Sequence, residues 1–410
     1  MGRENGYSGF VVVIGNDNLE NEAVMGETEH FETKYLKKNN NIQNNIQLHG
    51  GDIYRNQVEV DYSVNTNPLG PPEGVLKILR ANAEQIVHYP DMHCEDLKKK
   101  IAGYEQVSEN EILCGNGAAE LIYSVVQAIK PKRALITAPS FAEYELALRT
   151  VQAECSYYYC RETFDFQIQE DFLDLITEEI DILFLCNPGN PVGQTIEKEF
   201  LIRILNRCRE CKVTVILDEC FIEFLSDCQS YEMTALRYAY PNLFILKAFT
   251  KIFCMPGLRL GYMIGTDQTM LGKIREMLQP WNVSILAQLC GTEALHECEK
   301  YLEETKRFLK KEKTYIIEAI QELGDQKFQV YGSKANYIFF RGPEGLYEKA
   351  LRDRMLIRDC GNYRGLSGMD EPGQAENCRD QVKREFAGYY RVAVRSQEEN
   401  ERLVAWLRKL

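Results

Sequence analysis

No stretch of the 410-residue chain approaches the run of about 18 apolar residues that a membrane-spanning helix needs, and the mean hydropathy is negative at −0.35. A bilayer span is not expected. Basic residues are in the minority, 48 Lys and Arg against 61 Asp and Glu for a net charge of −13, which repels phosphate backbones and anionic headgroups over most of the surface. A general nucleic-acid binder is disfavoured, although a small cationic pocket can still hide inside an acidic total. The 14 cysteines lack short repeated spacings. Cys208 and Cys211 form the one close Cys-x-x-Cys pair, and no second pair or nearby His completes a zinc site. Reduced thiols in a cytoplasm and no bound metal are the expectation. The apolar run Phe10–Ile14 has little basic flank before it and acidic residues soon after, so it does not read as an export signal. No repeat with a period of roughly 20–50 residues is visible.

What is present is an ordinary globular composition, 45% hydrophobic and 27% charged, long enough for about two or three domains. Residues 1–44 are polar, acidic and Asn-rich without a sustained period and read as a loose extension. Beyond them, Ala134–Thr137, Ile182–Cys186, Val213–Leu217 and Leu243–Leu246 are apolar runs too short for helices, which predicts buried strands. Amphipathic stretches such as Glu197–Cys211 lie between them. Strand and helix in alternation predict an α/β core with a mostly parallel sheet. The last third changes character. A long charged helix is expected over Glu293–Leu323, followed by strand-like Asn336–Phe340 and Tyr390–Val394 and a closing helix from Gln397, a pattern that suits a smaller α+β domain.

Four features of the middle section carry chemistry. Gly115-Asn116-Gly117-Ala118-Ala119-Glu120 follows strand-like Ile112-Leu113 and opens an amphipathic helix, so its amides can receive a phosphate at a helix N-terminus. Asn187-Pro188-Gly189-Asn190-Pro191 follows a predicted strand, at the sheet end where open α/β folds place ligands. Asp218-Glu219 ends a very apolar strand, where a carboxylate needs a partner such as a protonated ring nitrogen. Lys251 comes just after another predicted strand, with Pro256-Gly257-Leu258-Arg259 following it. Taken singly, each is also what an ordinary turn or a solvated side chain looks like. The order and spacing distinguish them: Asn190 precedes Asp218 by 28 residues, Lys251 follows after 33 more, and Arg259 lies eight beyond.

That series, together with His49-Gly50-Gly51, Asn65-Thr66-Asn67-Pro68-Leu69-Gly70, Phe141-Ala142-Glu143-Tyr144, Pro256–Tyr262, Ile357–Tyr363 and Tyr390–Arg395 with Glu398–Arg402, resembles the class I/II aminotransferase superfamily of fold-type I pyridoxal-phosphate enzymes. The likeness runs from about His49 to the C-terminus and is nearest to the threonine-phosphate decarboxylase branch of cobalamin biosynthesis, a relative of the histidinol-phosphate aminotransferases. It implies a large domain with a mostly parallel sheet of the seven-stranded type and a smaller α+β domain, with segments 45–89 joining the small domain, 90–292 binding the cofactor and 293–410 completing the small domain.

The resemblance also implies roles. Lys251 would carry the cofactor covalently and move protons, and Asp218 would keep the pyridinium nitrogen protonated. Asn190 would donate to the ring's 3-oxygen and Phe141 would stack on the ring. Gly117, Ala118, Ala119 and Arg259 would hold the cofactor phosphate, and Tyr89 would reach the phosphate of a neighbouring subunit, which makes a homodimer the expectation. Arg391 would clamp the substrate carboxylate; His49, Arg358 and Asn362 would surround its phosphate.

Two departures stand out. Ala248 occupies a place where family members commonly have a Ser on the cofactor phosphate, a hydrogen bond worth about 0.5–1.5 kcal/mol. Phe221 stands where aminotransferases usually have Tyr, and the decarboxylase branch also has Phe there. The function implied first is decarboxylation of L-threonine O-3-phosphate to (R)-1-amino-2-propanol O-2-phosphate and carbon dioxide. Transamination of histidinol phosphate or an aromatic amino acid is the alternative. A non-catalytic phosphate- or nucleotide-binding module, suggested by the glycine turn alone, is a third reading from another class.

Overall fold

The strands that the sequence marks as short apolar runs are apolar throughout because both of their faces are covered. In the computed structural model, which describes residues 49–296, 298–324, 327–366 and 388–410, they belong to one seven-stranded sheet. In chain order the described strands are β1 (Val60–Asp61), β2 (Ile112–Asn116), β3 (Arg133–Ala138), β4 (Glu154–Tyr159), β5 (Ile182–Cys186), β6 (Thr214–Asp218), β7 (Leu243–Ala248), β8 (Leu260–Gly265), β9 (Gln329–Val330), β10 (Tyr337–Gly342), β11 (Met355–Leu356), β12 (Arg358–Asp359) and β13 (Gly388–Ala393). The large sheet has the order β2-β8-β7-β6-β5-β3-β4 and is parallel except at β8, which runs antiparallel to both β2 and β7.

Alternate residues of the central strands feed two separate cores, one on each side of the sheet. Leu183, Leu185, Val215, Leu217, Leu243 and Ile245 enter one core, while Ile182, Phe184, Ile216, Phe244 and Leu246 enter the other. This two-sided burial explains why a period of two is invisible in their sequence. Register places Cys186 beside Asp218 and Asp218 beside Leu246, so the carboxyl ends of β5, β6 and β7 finish level. The loops that leave this edge carry the site, as expected for an open α/β sheet.

A second, four-stranded antiparallel sheet has the order β12-β13-β10-β9, and β1 pairs in parallel with β11. In the four-stranded sheet Arg391 lies opposite Phe339 on one side and Arg358 on the other. The closing helix Gln397–Leu407 is started by a capping box in which Ser396 and Glu399 satisfy each other's backbone N–H groups.

Some elements differ from the expectation. The charged helix predicted over Glu293–Leu323 is two helices, Ile285–Ala294 and Glu299–Gln321. Gly291 fastens the first to β8 and to helix Glu95–Glu105: a Cβ there would lie 2.4 Å from Leu260 Cδ2 and 3.0 Å from Leu97 Cδ1. The second turns to another partner, the closing helix, through Asn400 Nδ2 donating to Glu312 Oε2 at 2.9 Å. The break lets the chain change neighbours. Strands β4 and β8 escape the sequence reading, β8 because Gly261 and Gly265 look like turn residues.

The described residues of 50–410 pack as one unit. The extension expected over residues 1–44 lies outside the described residues. All thirteen described cysteines, Cys208 and Cys211 among them, are free thiols. Among the described residues no helix is long and apolar enough to cross a membrane.

Candidate active site

The glycine turn is built for close approach. β2 ends in Gly115-Asn116, and helix Gly117–Ile129 begins at once with Gly117 in the left-handed region at φ +76°. A Cβ at residue 117 would lie 2.5 Å from Arg259 Nη2, and one at residue 261 would lie 2.5 Å from the Ala118 nitrogen. Only hydrogen at these two α-carbons lets the Arg259 guanidinium and β8 close onto the helix start. The first amides of this 13-residue helix, those of Gly117, Ala118 and Ala119 among them, have no carbonyl within the helix to bond. Arg259 and the helix N-terminus therefore offer positive potential at one spot, suited to a phosphate.

Asp218 ends β6 and is buried. Tyr144 donates its hydroxyl to Asp218 Oδ2 at 2.6 Å, and the Cys220 amide donates to Oδ1 at 3.0 Å. Tyr144 is itself enclosed, stacked on Phe184 with centroids 4.9 Å apart, and Phe141 meets its edge at 5.7 Å. Burial, followed by the neighbouring Asp218 carboxylate, pushes the Tyr144 hydroxyl well above its ordinary range, so it remains a donor. The carboxylate is thus fixed in direction, and a cationic N–H is the partner a buried carboxylate calls for.

Lys251 lies in the single helical turn Phe249–Ile252 that follows β7. Asn67 grips that turn. Its amide donates to the Lys251 carbonyl at 3.0 Å and its side-chain Nδ2 to the Ile252 carbonyl at 2.9 Å. Burial first, then the positive field of Arg391 with a smaller contribution from Arg259, lowers the Lys251 amine to about 8. Such an amine is half unprotonated at about pH 8, where an ordinary lysine is almost wholly charged, and can act as a nucleophile. Ala248 caps this turn and contributes no side-chain hydrogen bond to it.

Arg391 and Arg358 form the other wall. They are cross-strand partners on β13 and β12, both buried. Arg391 donates Nη1 to Asn190 Oδ1 and Nη2 to the Ser63 carbonyl at 2.8 Å, lies over the Tyr337 ring at 5.3 Å, and leaves Nε buried without a hydrogen bond. Arg358 donates Nη1 to the Asp359 carbonyl and Nη2 to Asn362 Oδ1 at 2.8 Å, and sits over the Tyr363 ring at 5.0 Å. Like charges paired across a ladder are mutually unfavourable, and a bound anion would relieve that. Phe221 is buried against the edge of Tyr337, whose hydroxyl donates to the Gly189 carbonyl at 2.6 Å.

Residues 50–410 therefore gather Gly117, Ala118, Ala119 and Arg259 at one spot, Phe141 and Asp218 around Tyr144, and Asn190, Arg358, Asn362 and Arg391 around a paired-arginine wall whose field reaches Lys251. Tyr89 is exposed and tilted against Trp281 at 4.6 Å between centroids. His49 is exposed and lies outside the unit of residues 50–410. Sequence reasoning missed Tyr144, Tyr337 and Ser63. Tyr144 had a usable signal: three residues after Phe141, one helical turn on, it faces the same way. Tyr337 and the Ser63 carbonyl act through long-range contacts that no local pattern marks.

The comparisons with known proteins agree with this geometry. The family model for aminotransferase class I and II matches residues 58–405. The threonine-phosphate decarboxylase of Salmonella typhimurium is 36% identical over 354 residues, covering 86% of this chain and 91% of the relative. A histidinol-phosphate aminotransferase of Desulfitobacterium hafniense is 32% identical over 74% of this chain and 84% of its own. Among solved structures, the histidinol-phosphate aminotransferase of Clostridium acetobutylicum superposes with TM-score 0.74 at 30% identity, and the L-threonine-O-3-phosphate decarboxylase of Porphyromonas gingivalis with 0.71 at 25%; each covers 85% of this chain and 98% of its own. The residues present fit pyridoxal phosphate: an anion cradle kept open by glycine, a directed carboxylate and a low-pKa amine. The chain belongs to the class I and II aminotransferases and is a pyridoxal-phosphate-dependent enzyme.

Proposed function

We propose that the protein decarboxylates L-threonine O-3-phosphate to (R)-1-amino-2-propanol O-2-phosphate and carbon dioxide, a step of cobalamin biosynthesis. The observation that carries this reading is the cross-strand pair of buried arginines, Arg358 and Arg391. Phosphothreonine has an anion at each end, a carboxylate for Arg391 and a phosphate for Arg358 with Asn362, and planar guanidinium groups suit both. Histidinol phosphate has only the phosphate.

Bound at the glycine turn, pyridoxal phosphate supplies an electron-withdrawing ring linked to the substrate's amino group. The protein's residues do the rest. Gly117, Ala118, Ala119 and Arg259 hold the phosphate, Phe141 and Asn190 orient the ring, and Asp218, aimed by Tyr144, holds a proton on its nitrogen. Arg391 and Arg358 fix the substrate at both ends, and this orientation decides which Cα bond breaks. Lys251 Nζ delivers the proton that replaces the departing carboxylate at Cα. We also propose a homodimer, because the exposed Ile86, Val87, Tyr89, Met92 and Trp281 leave apolar surface that a second copy would cover. We further propose that residues 293–410, joined by 45–89, act as a smaller domain beside 90–292.

The 32% identity to a histidinol-phosphate aminotransferase favours a second reading, transamination of histidinol phosphate. Incubating holoenzyme with phosphothreonine, with phosphoserine, and with histidinol phosphate plus 2-oxoglutarate, while measuring carbon dioxide and glutamate separately, decides between them. Carbon dioxide from a phosphoamino acid is expected. Glutamate from histidinol phosphate with no carbon dioxide from either phosphoamino acid would replace the first reading by the second.

A further inference from the structure

Beyond the arginine wall the chain makes a tether that none of the proposed chemistry uses. After β12, residues 360–366 leave the four-stranded sheet and reach the edge of the large one. Gly365, in the left-handed region at φ +83°, seats the loop there: a Cβ on it would lie 3.3 Å from Tyr159 Cδ1 and 3.5 Å from the Ala138 carbonyl carbon. These are the last residues of β4 and β3. One residue earlier, Arg364 spans to helix Ala142–Arg149, donating Nε to Glu145 Oε2 at 3.4 Å and Nη2 to Glu145 Oε1 at 3.1 Å. Its guanidinium also lies over the Tyr157 ring, 4.1 Å from the centroid. Arg149, one turn on from Glu145, donates to the same carboxylate.

The two ends of this short loop are therefore held by different arginines. At the sheet end, Arg358 binds Asn362 and covers Tyr363. At the far end, Arg364 is engaged with Tyr157 of β4 and with Glu145, on the helix whose N-cap is Phe141. We propose that Arg364 and Glu145 form a positioning latch: by anchoring the loop to the ring-stacking helix, they set where Arg358 and Asn362 present their donors to the substrate's distal phosphate. Arg364 is on this view not a phosphate ligand. Like charges on a cross-strand pair are mutually unfavourable, so an anchor outside the sheet helps keep Arg358 in place, and an ion pair that also stacks on an aromatic ring suits that task.

The inference rests on the decarboxylase reading for its substrate, and one arm of the test is independent of it. Holoenzymes carrying Glu145→Gln, Arg364→Met and both changes are compared with wild type for KM and kcat with phosphothreonine, and for binding of inorganic phosphate by calorimetry. The latch predicts that KM and the phosphate Kd each rise about tenfold in either single variant with kcat little changed, and rise no further in the double variant, because both changes remove one interaction. Arg364→Lys should recover part of the loss. A phosphate Kd that rises with Arg364→Met but not with Glu145→Gln would make Arg364 the ligand itself and overturn the latch. So would additive effects in the double variant, or a fall in kcat at unchanged KM. If wild type instead transaminates histidinol phosphate, the decarboxylase reading fails while the phosphate-binding arm still reads the latch.

Discussion

Two lysines four residues apart, the buried Lys247 and the half-buried Lys251, are driven in opposite directions. Lys247, on β7, faces the core that receives Leu243 and Ile245. Its Nζ lies 2.9 Å from Glu105 Oε2, 3.9 Å from Glu219 Oε2 and 4.0 Å from Glu232 Oε2. Burial alone would lower it, but Glu105, Glu223, Glu219 and Glu232 more than offset that, and its pKa rises well above the ordinary value. Lys251 has no carboxylate among its main influences. Burial, Arg391 and Arg259 bring it to about 8. Desolvation is common to both, and the sign of the neighbouring charge decides whether a buried lysine is a fixed structural cation or an available amine.

Removing either lysine breaks the comparison at its strongest point. Lys247→Met should leave several buried glutamates without their cation and destabilise the protein by about 3–5 kcal/mol, read as a large drop in the denaturant midpoint. The same substitution at Lys251 should leave stability within about 1 kcal/mol of wild type, since it relieves a destabilised charge.

Tyr144→Phe comes next. It takes a donor from the buried Asp218 carboxylate, and losing a hydrogen bond to a charged group costs about 1.5–3 kcal/mol. Denaturant titration should show that loss, and turnover should fall because Asp218 is no longer aimed; unchanged stability and turnover would mean the Cys220 amide suffices.

The smallest effect sharpens the comparison through pH. Burial, opposed by Lys247, raises Glu219 to about 8 and Glu223 to about 7 from an ordinary 4.5. Between 4.5 and those values the folded protein keeps protons that the unfolded chain has lost. Their contribution to stability is therefore full at low pH and is lost as pH rises through about 7 and then about 8. Glu223→Gln should flatten part of that decline, measured as the change in Tm between about pH 5 and about pH 8. An unaltered slope would remove Glu223 from the cluster's titration.

How much was legible beforehand follows the same physics. Chain-local features were readable: Lys251, Asp218 and the glycine turn lie at fixed offsets from apolar runs, because strands ending at one sheet edge must deliver their loops there. Long-range partners were not. Nothing near Lys247 in sequence announces Glu105, which lies 142 residues earlier. Likewise Gly261 looks like a turn residue until Ala118 is found against it, and the division of the charged helix at residues 295–298 depends on which neighbours Gly291 and Glu312 meet. The arginine wall was half legible. Arg358 and Arg391 were picked out by resemblance, but their standing opposite each other is a fact of strand register.

The direct test of the central claim is to treat holoenzyme with borohydride and map the reduced cofactor to a peptide. Lys251 should carry the label, with labelling by added cofactor increasing as pH rises through about 8, and Lys251→Ala should carry none. A label on another lysine, or a reducible link that survives Lys251→Ala, would contradict it.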